Sequence, residues 1–279
     1  MKLYNILVDG NIHLAADNGS GTVDATAAGF PFTMEELISG AGKAELISLA
    51  ADPSLPRLES IECANVLTKP GKLLCVGLNY RAHAAGISMK EPEQPILFSK
   101  FADALAPTGA EVCLPPWENS YDYEAELVIV MGKSAWNISE EEAMDYIFGY
   151  TCGNDFSCRD AQMRSGQWLI GKTMPGFGPC GPCIVTADEL DPNKGLGIKS
   201  FVNGELRQDG STLDMIFSCA RIISYASKYV QLQPGDLIYT GTPSGVALEE
   251  RADKRRWLEK GDVVDVVIEG IGTLTNKMI

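Results

Sequence analysis

The stretch Tyr121–Val130, YDYEAELVIV, guides the interpretation of the whole chain. Successive side chains of a β-strand point to opposite faces, so a strand here places Asp122, Glu124 and Glu126 on one face. Three neighbouring carboxylates repel one another and favour a cation among them, and oxygen ligands suit a hard divalent ion such as Mg²⁺ or Mn²⁺. The spacing alone fits a half-buried edge strand with a solvated acidic face equally well.

The composition predicts a protein that folds around a sizeable core. The chain has 279 residues, of which 45% are hydrophobic, and its formal net charge is −14. It has no apolar run of about 18 residues that would span a membrane, and the N-terminus does not resemble a signal peptide. We therefore expect a cytoplasmic protein that binds no membrane. The acidic balance also argues against nucleic acid as a partner, because such a partner needs a basic face.

The eight cysteines are interpreted as free thiols of a reducing compartment. Cys180 and Cys183 have the spacing of a thioredoxin-like redox motif. The β-leaning residues Ile184 and Val185 follow them, so no helix N-terminus is available to lower a thiol pKa. We therefore predict ordinary thiols, and no second Cys pair or nearby His completes a zinc site.

Residues 1–65 are predicted to form a small N-terminal α/β appendage, and residues 66–279 the main domain. Asp9-Gly10 is a strong hairpin signal, and Thr33 with Glu36 forms a capping box that opens a short helix. Beyond residue 66, many short strands and Gly/Pro turns predict an α+β fold on a mixed, strongly curved sheet. Asn203-Gly204 predicts a second hairpin, and Asp214–Tyr229 reads as the longest helix.

Candidate catalytic and binding residues follow two of the predicted strands. His83 is the only histidine placed for acid–base work, and a histidine on a helix surface is an equally good interpretation of the pattern. Asp155 adds a further carboxylate, and Arg159 and Gln162 follow it at helical spacings of four and seven. Lys172 follows in a Gly-rich loop. Each of these residues alone is as easily structural, and together they indicate a site.

Seven ordered blocks from Lys72 onward resemble the signature of the fumarylacetoacetate hydrolase family. They are GLNYRAH, PILFSK, DYEAELVIVMG, GYTCGNDFSCRDAQ, GKTMPGFGPCGP, VNGELRQDGST and PGDLIYTGTPSGV. Residues 1 to about 65 are similar to the small extra domain of the longer bacterial members. The resemblance implies a sheet rolled into an unusual barrel, a homodimer, and a divalent cation at the barrel mouth, Mg²⁺ or Mn²⁺ with Ca²⁺ as a further alternative.

The resemblance also assigns roles to individual residues. His83 resembles the family's base on the lid, and Lys172 would serve both binding and catalysis as a point charge on an enolate. The implied metal ligands are Glu124, Glu126 and Asp155, and the implied substrate contacts are Arg159, Gln162, Lys172 and Thr242.

The implied function is metal-dependent hydrolysis of a C–C bond in a small anionic 2-oxo or 1,3-dicarbonyl acid of the acylpyruvate or fumarylpyruvate type. The same enolate stabilisation serves an oxaloacetate-type decarboxylase or a 2-hydroxyhepta-2,4-diene-1,7-dioate-type isomerase, and these are the close alternatives. A ureidoglycolate-type lyase ranks lower. A non-catalytic homologue that keeps the metal site is the alternative from another class.

The sequence departs from the family's hydrolytic pattern on the lid. Hydrolytic members commonly carry His-x-x-Glu, in which the Glu fixes the imidazole tautomer. Here Gly86 stands at the third position after His83. We therefore expect a poorly oriented base unless another carboxylate replaces the missing one, with Glu91 and Glu93 on the same loop as the first candidates.

Overall fold

The computed structural model describes all 279 residues and shows a mixed α+β fold. Its strands are β1 (Lys2–Val8), β2 (Asn11–Asp17), β3 (Thr22–Asp24), β4 (Leu73–Gly77), β5 (Ile96–Lys100), β6 (Glu111–Val112), β7 (Tyr121–Asp122), β8 (Ala125–Met131), β9 (Ile147–Asn154), β10 (Ser157–Cys158), β11 (Cys180–Thr186), β12 (Gly197–Val202), β13 (Glu205–Ser211), β14 (Leu237–Tyr239), β15 (Val263–Ile268) and β16 (Gly272–Met278). Its α-helices are α1 (Met34–Ile38), α2 (Lys43–Ala51), α3 (Arg81–Gly86), α4 (Arg159–Met163), α5 (Leu169–Lys172) and α6 (Cys219–Ser227). Short 3₁₀ helices cover Ala102–Ala104, Ala143–Tyr146, Pro192–Lys194, Thr212–Asp214 and Ala247–Glu249. None of the helices combines the length and the apolar character needed to cross a membrane.

The strands form two large open sheets and one small pair. The nine-stranded sheet has the order β3-β2-β1-β11-β9-β8-β14-β4-β5, the five-stranded sheet has the order β13-β12-β15-β16-β6, and β10 pairs with β7. The mixed α+β prediction is confirmed, since β14 runs parallel to β4 in an otherwise antiparallel sheet. The predicted barrel is not confirmed, because each large sheet ends in unpaired edge strands and does not close on itself.

The nine-stranded sheet is buried on both faces. In β8, Leu127 and Ile129 face one core cluster and Val128 and Val130 face another, as the alternation of strand side chains requires. The first cluster is shared with β12, β15, β16 and α6. The second is shared with α1 and α2 of the N-terminal module, whose strand β1 pairs with β11 of the same sheet. The N-terminal module therefore covers one face of the sheet and extends it.

Local sequence signals set several of these elements. Asp9-Gly10 and Asn203-Gly204 all adopt positive φ and join β1 to β2 and β12 to β13 as predicted. Thr33 caps α1, and Glu36 returns the contact by accepting the hydrogen bond of the Thr33 backbone N–H at 2.8 Å.

The predicted helix over Asp214–Tyr229 is too long. The helix α6 begins only at Cys219, after the N-cap Ser218. The preceding residues bond instead to the segment that follows β4: Ile216 N donates to the carbonyl of Asn79, and Phe217 N donates to the Asn79 side chain. These long-range hydrogen bonds replace helical ones.

The topology brings four chain segments to one end of the sheet. Strand β8 begins where β9 and β14 end, because it runs antiparallel to both. Strand β4 ends there as well, because it is parallel to β14. The segments after β4, β9 and β14 and the segment before β8 therefore meet, and they carry most of the polar residues singled out above.

Candidate metal and acid–base site

A cavity of about 160 Å³ lies at this end of the sheet. It brings together all the residues to which the family resemblance assigned a role. They are His83, Glu124, Glu126, Asp155, Arg159, Gln162, Lys172 and Thr242. The remaining wall is largely apolar and includes Ile87, Met89, Phe98, Met163, Trp168 and Leu248. The cavity thus combines a cluster of charged and polar side chains with an apolar wall.

The acidic stretch is not one continuous strand. It breaks between β7 and β8, and Glu124 lies in the break, where its backbone N–H donates to the Asn154 side chain at 2.9 Å. Its carbonyl accepts a hydrogen bond from Asp155 N at 3.0 Å. Glu124, Glu126 and Asp155 therefore lie together, each offering a carboxylate oxygen within 4.8 Å of the others.

Asp122 does not join this group, although the strand pattern placed it on the same face. It is fully buried and does not line the cavity. Its Oδ2 lies 2.8 Å from both Nε and Nη2 of Arg159. The break at Tyr123–Glu124 removes the regular alternation on which the prediction depended.

Glu124 and Asp155 are held by buried cations. Lys172 Nζ lies 2.7 Å from Glu124 Oε2 and 2.8 Å from Asp155 Oδ2. Arg159 Nη2 lies 2.8 Å from Glu124 Oε1. Burial disfavours ionisation of Glu124, but the charges of Lys172 and Arg159 outweigh it and lower the pKa of this carboxyl far below its usual range. Burial likewise works against the charge on Lys172, and Asp155 and Glu124 outweigh it, so its pKa is raised.

Lys100 is a buried member of the site that the sequence did not indicate. Its Nζ lies 2.5 Å from Asp155 Oδ1 and donates to the carbonyls of Phe156 and Phe177 at 3.2 and 2.8 Å, and also to the carbonyl of Lys172. In the sequence it is the last residue of an apolar strand, and no pattern separates such a lysine from a solvated one.

Glu126 is the one carboxylate of this cluster without a cation. Asp122, Glu124 and Asp155 each face Arg159, Lys172 or Lys100, whereas Glu126 accepts one hydrogen bond, from Gly241 N at 2.7 Å. Burial, followed by the charges of Asp155 and Glu124, raises its pKa well above the usual range. An ionised Glu126 therefore requires a further positive charge nearby.

A divalent metal fits this requirement. The three carboxylates offer only hard oxygen atoms, as Mg²⁺ and Mn²⁺ prefer. Asp155 Oδ1 is buried and accepts no well-directed hydrogen bond, which leaves it a lone pair for a ligand. Glu124, Glu126 and Asp155 are the residues that would hold the ion.

The remaining predicted contacts surround the triad. Gln162 Oε1 accepts a hydrogen bond from Arg159 Nη1 at 3.1 Å, so its amide N–H groups are free to donate into the cavity. Thr242 Oγ1 donates to the carbonyl of Ala125 at 3.0 Å and accepts from Gln208 Nε2 at 2.7 Å. Gln208, which is fully buried and which the sequence did not indicate, thus fixes the Thr242 hydroxyl.

His83 has a carboxylate partner, contrary to the expectation of an unsupported base. Its Nδ1 lies 2.5 Å from Glu249 Oε1, and the pair is largely buried. Glu91 and Glu93 do not supply this contact, because they lie on the surface beside Arg81 and Lys90. Because Glu249 is 166 residues from His83, no local pattern relates the two.

The Cys180–Cys183 pair is not built as a redox motif. Both residues are buried in β11, and Cys180 Sγ lies 2.8 Å from the hydroxyl of Tyr239. Burial raises the pKa of Cys180 to about 12 and the pKa of Cys183 to about 11. The thiols are therefore protonated at neutral pH, as the sequence analysis predicted.

With this geometry established, comparison with known proteins assigns the class. The family described as fumarylacetoacetate (FAA) hydrolase C-terminal matches residues 72–279. The chain belongs to the fumarylacetoacetate hydrolase family, and the resemblance seen in its sequence blocks is confirmed.

Individual relatives align with most or all of the chain. It is 39% identical over 282 residues to the human mitochondrial oxaloacetate tautomerase FAHD2A, an alignment that covers 98% of this chain and 88% of the relative. The fumarylacetoacetate hydrolase structure from Exiguobacterium antarcticum superimposes with a TM-score of 0.87 at 31% identity and covers 100% of this chain and 99% of its own. The fumarylpyruvate hydrolase structure from Pseudomonas aeruginosa in complex with Mn²⁺ and pyruvate gives a TM-score of 0.69 at 34% identity, covering 80% of this chain and 92% of its own.

Proposed function

We propose that this protein is a divalent-metal-dependent enzyme that moves a proton on a small enolisable 2-oxo acid, with keto–enol tautomerisation of oxaloacetate as the first reaction to test. The observation that carries the proposal is the His83–Glu249 pair in the cavity that also holds the carboxylate triad. The name of the human relative that aligns with 98% of this chain supports the choice of substrate.

The carboxylate of Glu249 decides which imidazole nitrogen acts as the base. A carboxylate only accepts hydrogen bonds, so His83 Nδ1 carries the proton and Nε2 is left as the basic atom. In enolisation, Nε2 removes a proton from the carbon next to the carbonyl and delivers it to the carbonyl oxygen; in ketonisation, it takes the proton of the enol O–H and delivers it to the carbon. Glu249 stabilises the imidazolium that exists between these two transfers.

The other cavity residues bind and orient the acid. A divalent cation, when bound to the triad, supplies a Lewis acid that polarises the substrate carbonyl. Lys172 and Arg159 add positive charge beside the substrate carbonyl oxygen. The free amide N–H groups of Gln162 donate to a substrate carboxylate. The apolar wall of Phe98 and Trp168 limits the size of the substrate tail and excludes water.

C–C hydrolysis, which the sequence analysis placed first, becomes the second candidate. A histidine held by a carboxylate also activates water, so the same pair supports hydrolysis of an acylpyruvate. The relative named a fumarylpyruvate hydrolase matches a smaller share of the chain than the tautomerase does. Decarboxylation draws no support from this pair, because it needs an electron sink more than a base.

The test measures both reactions on one preparation. Metal-stripped protein is reloaded with Mg²⁺ or Mn²⁺, and the ketonisation of enol-oxaloacetate and the cleavage of an acylpyruvate are followed by ultraviolet absorbance. We expect tautomerisation to depend on the metal and to fall about 10²- to 10⁴-fold in His83→Gln, the usual contribution of a general base.

His13 provides a matched control. It also pairs through Nδ1 with a carboxylate, Asp24, at 2.8 Å, but it lies in the N-terminal hairpin. His13→Gln should keep wild-type turnover. Full tautomerase activity in His83→Gln, or no metal-dependent turnover of either substrate, would refute the proposed function.

A further inference from the structure

Asp122 contacts both functional halves of the site. Its carboxylate accepts hydrogen bonds from four N–H groups, and it is completely buried. Two of the donors are Arg159 Nε at 2.8 Å and the backbone N–H of Tyr123 at 3.0 Å. The other two are the backbone N–H groups of Ala247 and Leu248, at 2.8 and 3.1 Å.

The contacts of Asp122 with Arg159 and with the 247–249 turn lead to different parts of the site. Arg159 continues to the metal-ligand Glu124 and to Gln162, which form the binding half of the site. Ala247 and Leu248 begin the 3₁₀ turn Ala247–Glu249, and the last residue of this turn holds His83 Nδ1. Asp122 is therefore the side chain that joins the binding half to the acid–base half.

We propose that Asp122 is a positioning residue that fixes the position of the Glu249–His83 pair relative to the Arg159 side of the cavity. This inference rests on the proposed function, because it assumes that His83 acts on a substrate bound beside Arg159. Asp122 touches neither substrate nor metal, and it acts through the backbone of the turn and through the guanidinium.

The chemistry of the contacts requires a carboxylate. The two N–H groups of the turn point to different oxygens of Asp122, Oδ1 for Ala247 and Oδ2 for Leu248, and Arg159 shares Oδ2. An asparagine of the same shape has one acceptor oxygen, and its NH₂ group would face an N–H donor. Asp122→Asn should therefore release either the turn or the arginine while leaving the side-chain volume unchanged.

The experiment compares Asp122→Asn alone and in a Glu249→Gln background. Release of Arg159 should raise KM, and release of the turn should lower kcat. We expect kcat of Asp122→Asn to fall at least about tenfold. In the Glu249→Gln background the same substitution should lower kcat by less than about threefold, because the turn no longer holds the base. A merely structural role would lower kcat by the same factor in both backgrounds.

Asp236 supplies the matched control. It is equally buried and accepts the backbone N–H groups of Lys72 and Gln233, at the other end of β14 from the cavity. Asp236→Asn should leave KM unaltered, and any effect that it has on kcat should be the same with Glu249 and with Gln at position 249. Losses of kcat from Asp122→Asn and Glu249→Gln that simply multiply would overturn the inference.

A second variant covers the case in which Asp122→Asn does not fold. Ala247→Pro deletes one N–H donor to Asp122 and keeps the Asp122–Arg159 pair. Proline suits the first position of a helical turn, and the preceding Val246 is already extended with φ −67° and ψ 155°. We expect lower kcat with unchanged KM, and wild-type kcat in folded Ala247→Pro would overturn the inference.

The His83 Nδ1–H proton gives a readout that needs no turnover, and it separates this inference from the proposed function. Its downfield nuclear magnetic resonance signal should be present in the wild type and in Asp236→Asn and broadened or lost in Asp122→Asn. An unchanged signal in Asp122→Asn would refute the positioning role even if the protein turned over neither substrate.

Discussion

Gly86 and Glu249 occupy complementary space: a Cβ atom added to Gly86 would lie 2.7 Å from Cδ of Glu249. The lid helix thus lacks a side chain where the Glu249 carboxylate approaches His83. The glycine that looked like the loss of an orienting carboxylate makes room for one from a distant part of the chain.

This contact predicts that Gly86→Ala and Gly86→Glu lower activity. Both side chains would displace Glu249 from His83, so we expect kcat for tautomerisation to fall at least about tenfold. This is the opposite of what the missing lid carboxylate alone suggests, which is a gain of hydrolysis in Gly86→Glu. Steady-state kinetics on both substrates decide between the two. Gly166→Ala is the control, because a Cβ added there meets nothing within 4 Å.

The unpaired state of Glu126 predicts the behaviour of Glu126→Gln. The amide keeps the volume and removes the carboxylate that would ionise and hold the metal, so the variant should fold and should lose the rise in melting temperature that Mn²⁺ gives the wild type. Glu111→Gln, at an exposed carboxylate, should retain that rise. Unfolding of Glu126→Gln would show that the carboxylate serves the fold instead.

The raised pKa of Glu126 also predicts a pH dependence in metal-free protein. Below its usual pKa of 4.5 this carboxyl is protonated in both states and contributes no difference. Above that value the unfolded chain releases the proton and the folded protein keeps it, so folding is increasingly disfavoured as pH rises. Metal-free wild type should therefore lose stability relative to Glu126→Gln between pH 5 and pH 7, measured by urea denaturation. A constant difference across this range would contradict the assignment.

Lys100→Met tests the buried lysine. Removal of the cation leaves Asp155 Oδ1 without its charged neighbour, and loss of one partner of a buried ion pair typically costs about 3–5 kcal/mol. We expect a loss of this size in the free energy of unfolding of metal-free protein. Lys260→Met, at an exposed lysine, should change it by less than about 0.5 kcal/mol.

The cysteine pair should be dispensable for turnover. Because burial raises the pKa of both Cys180 and Cys183, neither should react with iodoacetamide in native protein at pH 7.5, whereas the exposed Cys113 should. Cys180→Ser/Cys183→Ser should keep turnover within a few-fold. Mass spectrometry of the alkylated protein checks the first point. Disulfide reductase activity, or loss of all turnover in the double variant, would restore the redox interpretation.

The sequence predicted most of the site because much of it is local. Glu124 and Glu126 are two residues apart beside a strongly apolar strand, and Arg159 and Gln162 share one face of a short helix. Alternation grouped Glu124 and Glu126 but wrongly added Asp122, and helical spacing grouped Arg159 with Gln162. Lys172 and Thr242, which the family resemblance assigned, line the same cavity, and their catalytic and binding roles remain predictions.

What the sequence missed depends on contacts between distant segments. Glu249 reaches His83, and Ile216 and Phe217 bond to Asn79 instead of continuing a helix, because the topology brings the ends of separate strands together. Lys100 is buried only because three carbonyls and Asp155 surround it. None of these partners lies within the span over which periodicity carries information.

Strand β1 limits where this protein can be truncated. The family match begins at residue 72, but β1 covers the backbone edge of β11, and α1 and α2 cover apolar side chains of β8 and β14. A fragment spanning residues 72–279 would contain every candidate metal ligand. It would also expose the unpaired edge of β11 and an apolar face of the sheet, and such surfaces promote aggregation. The boundary of the family match and the boundary of the packed structure therefore differ, and an expression fragment that begins at residue 72 should be recovered mainly from the insoluble fraction.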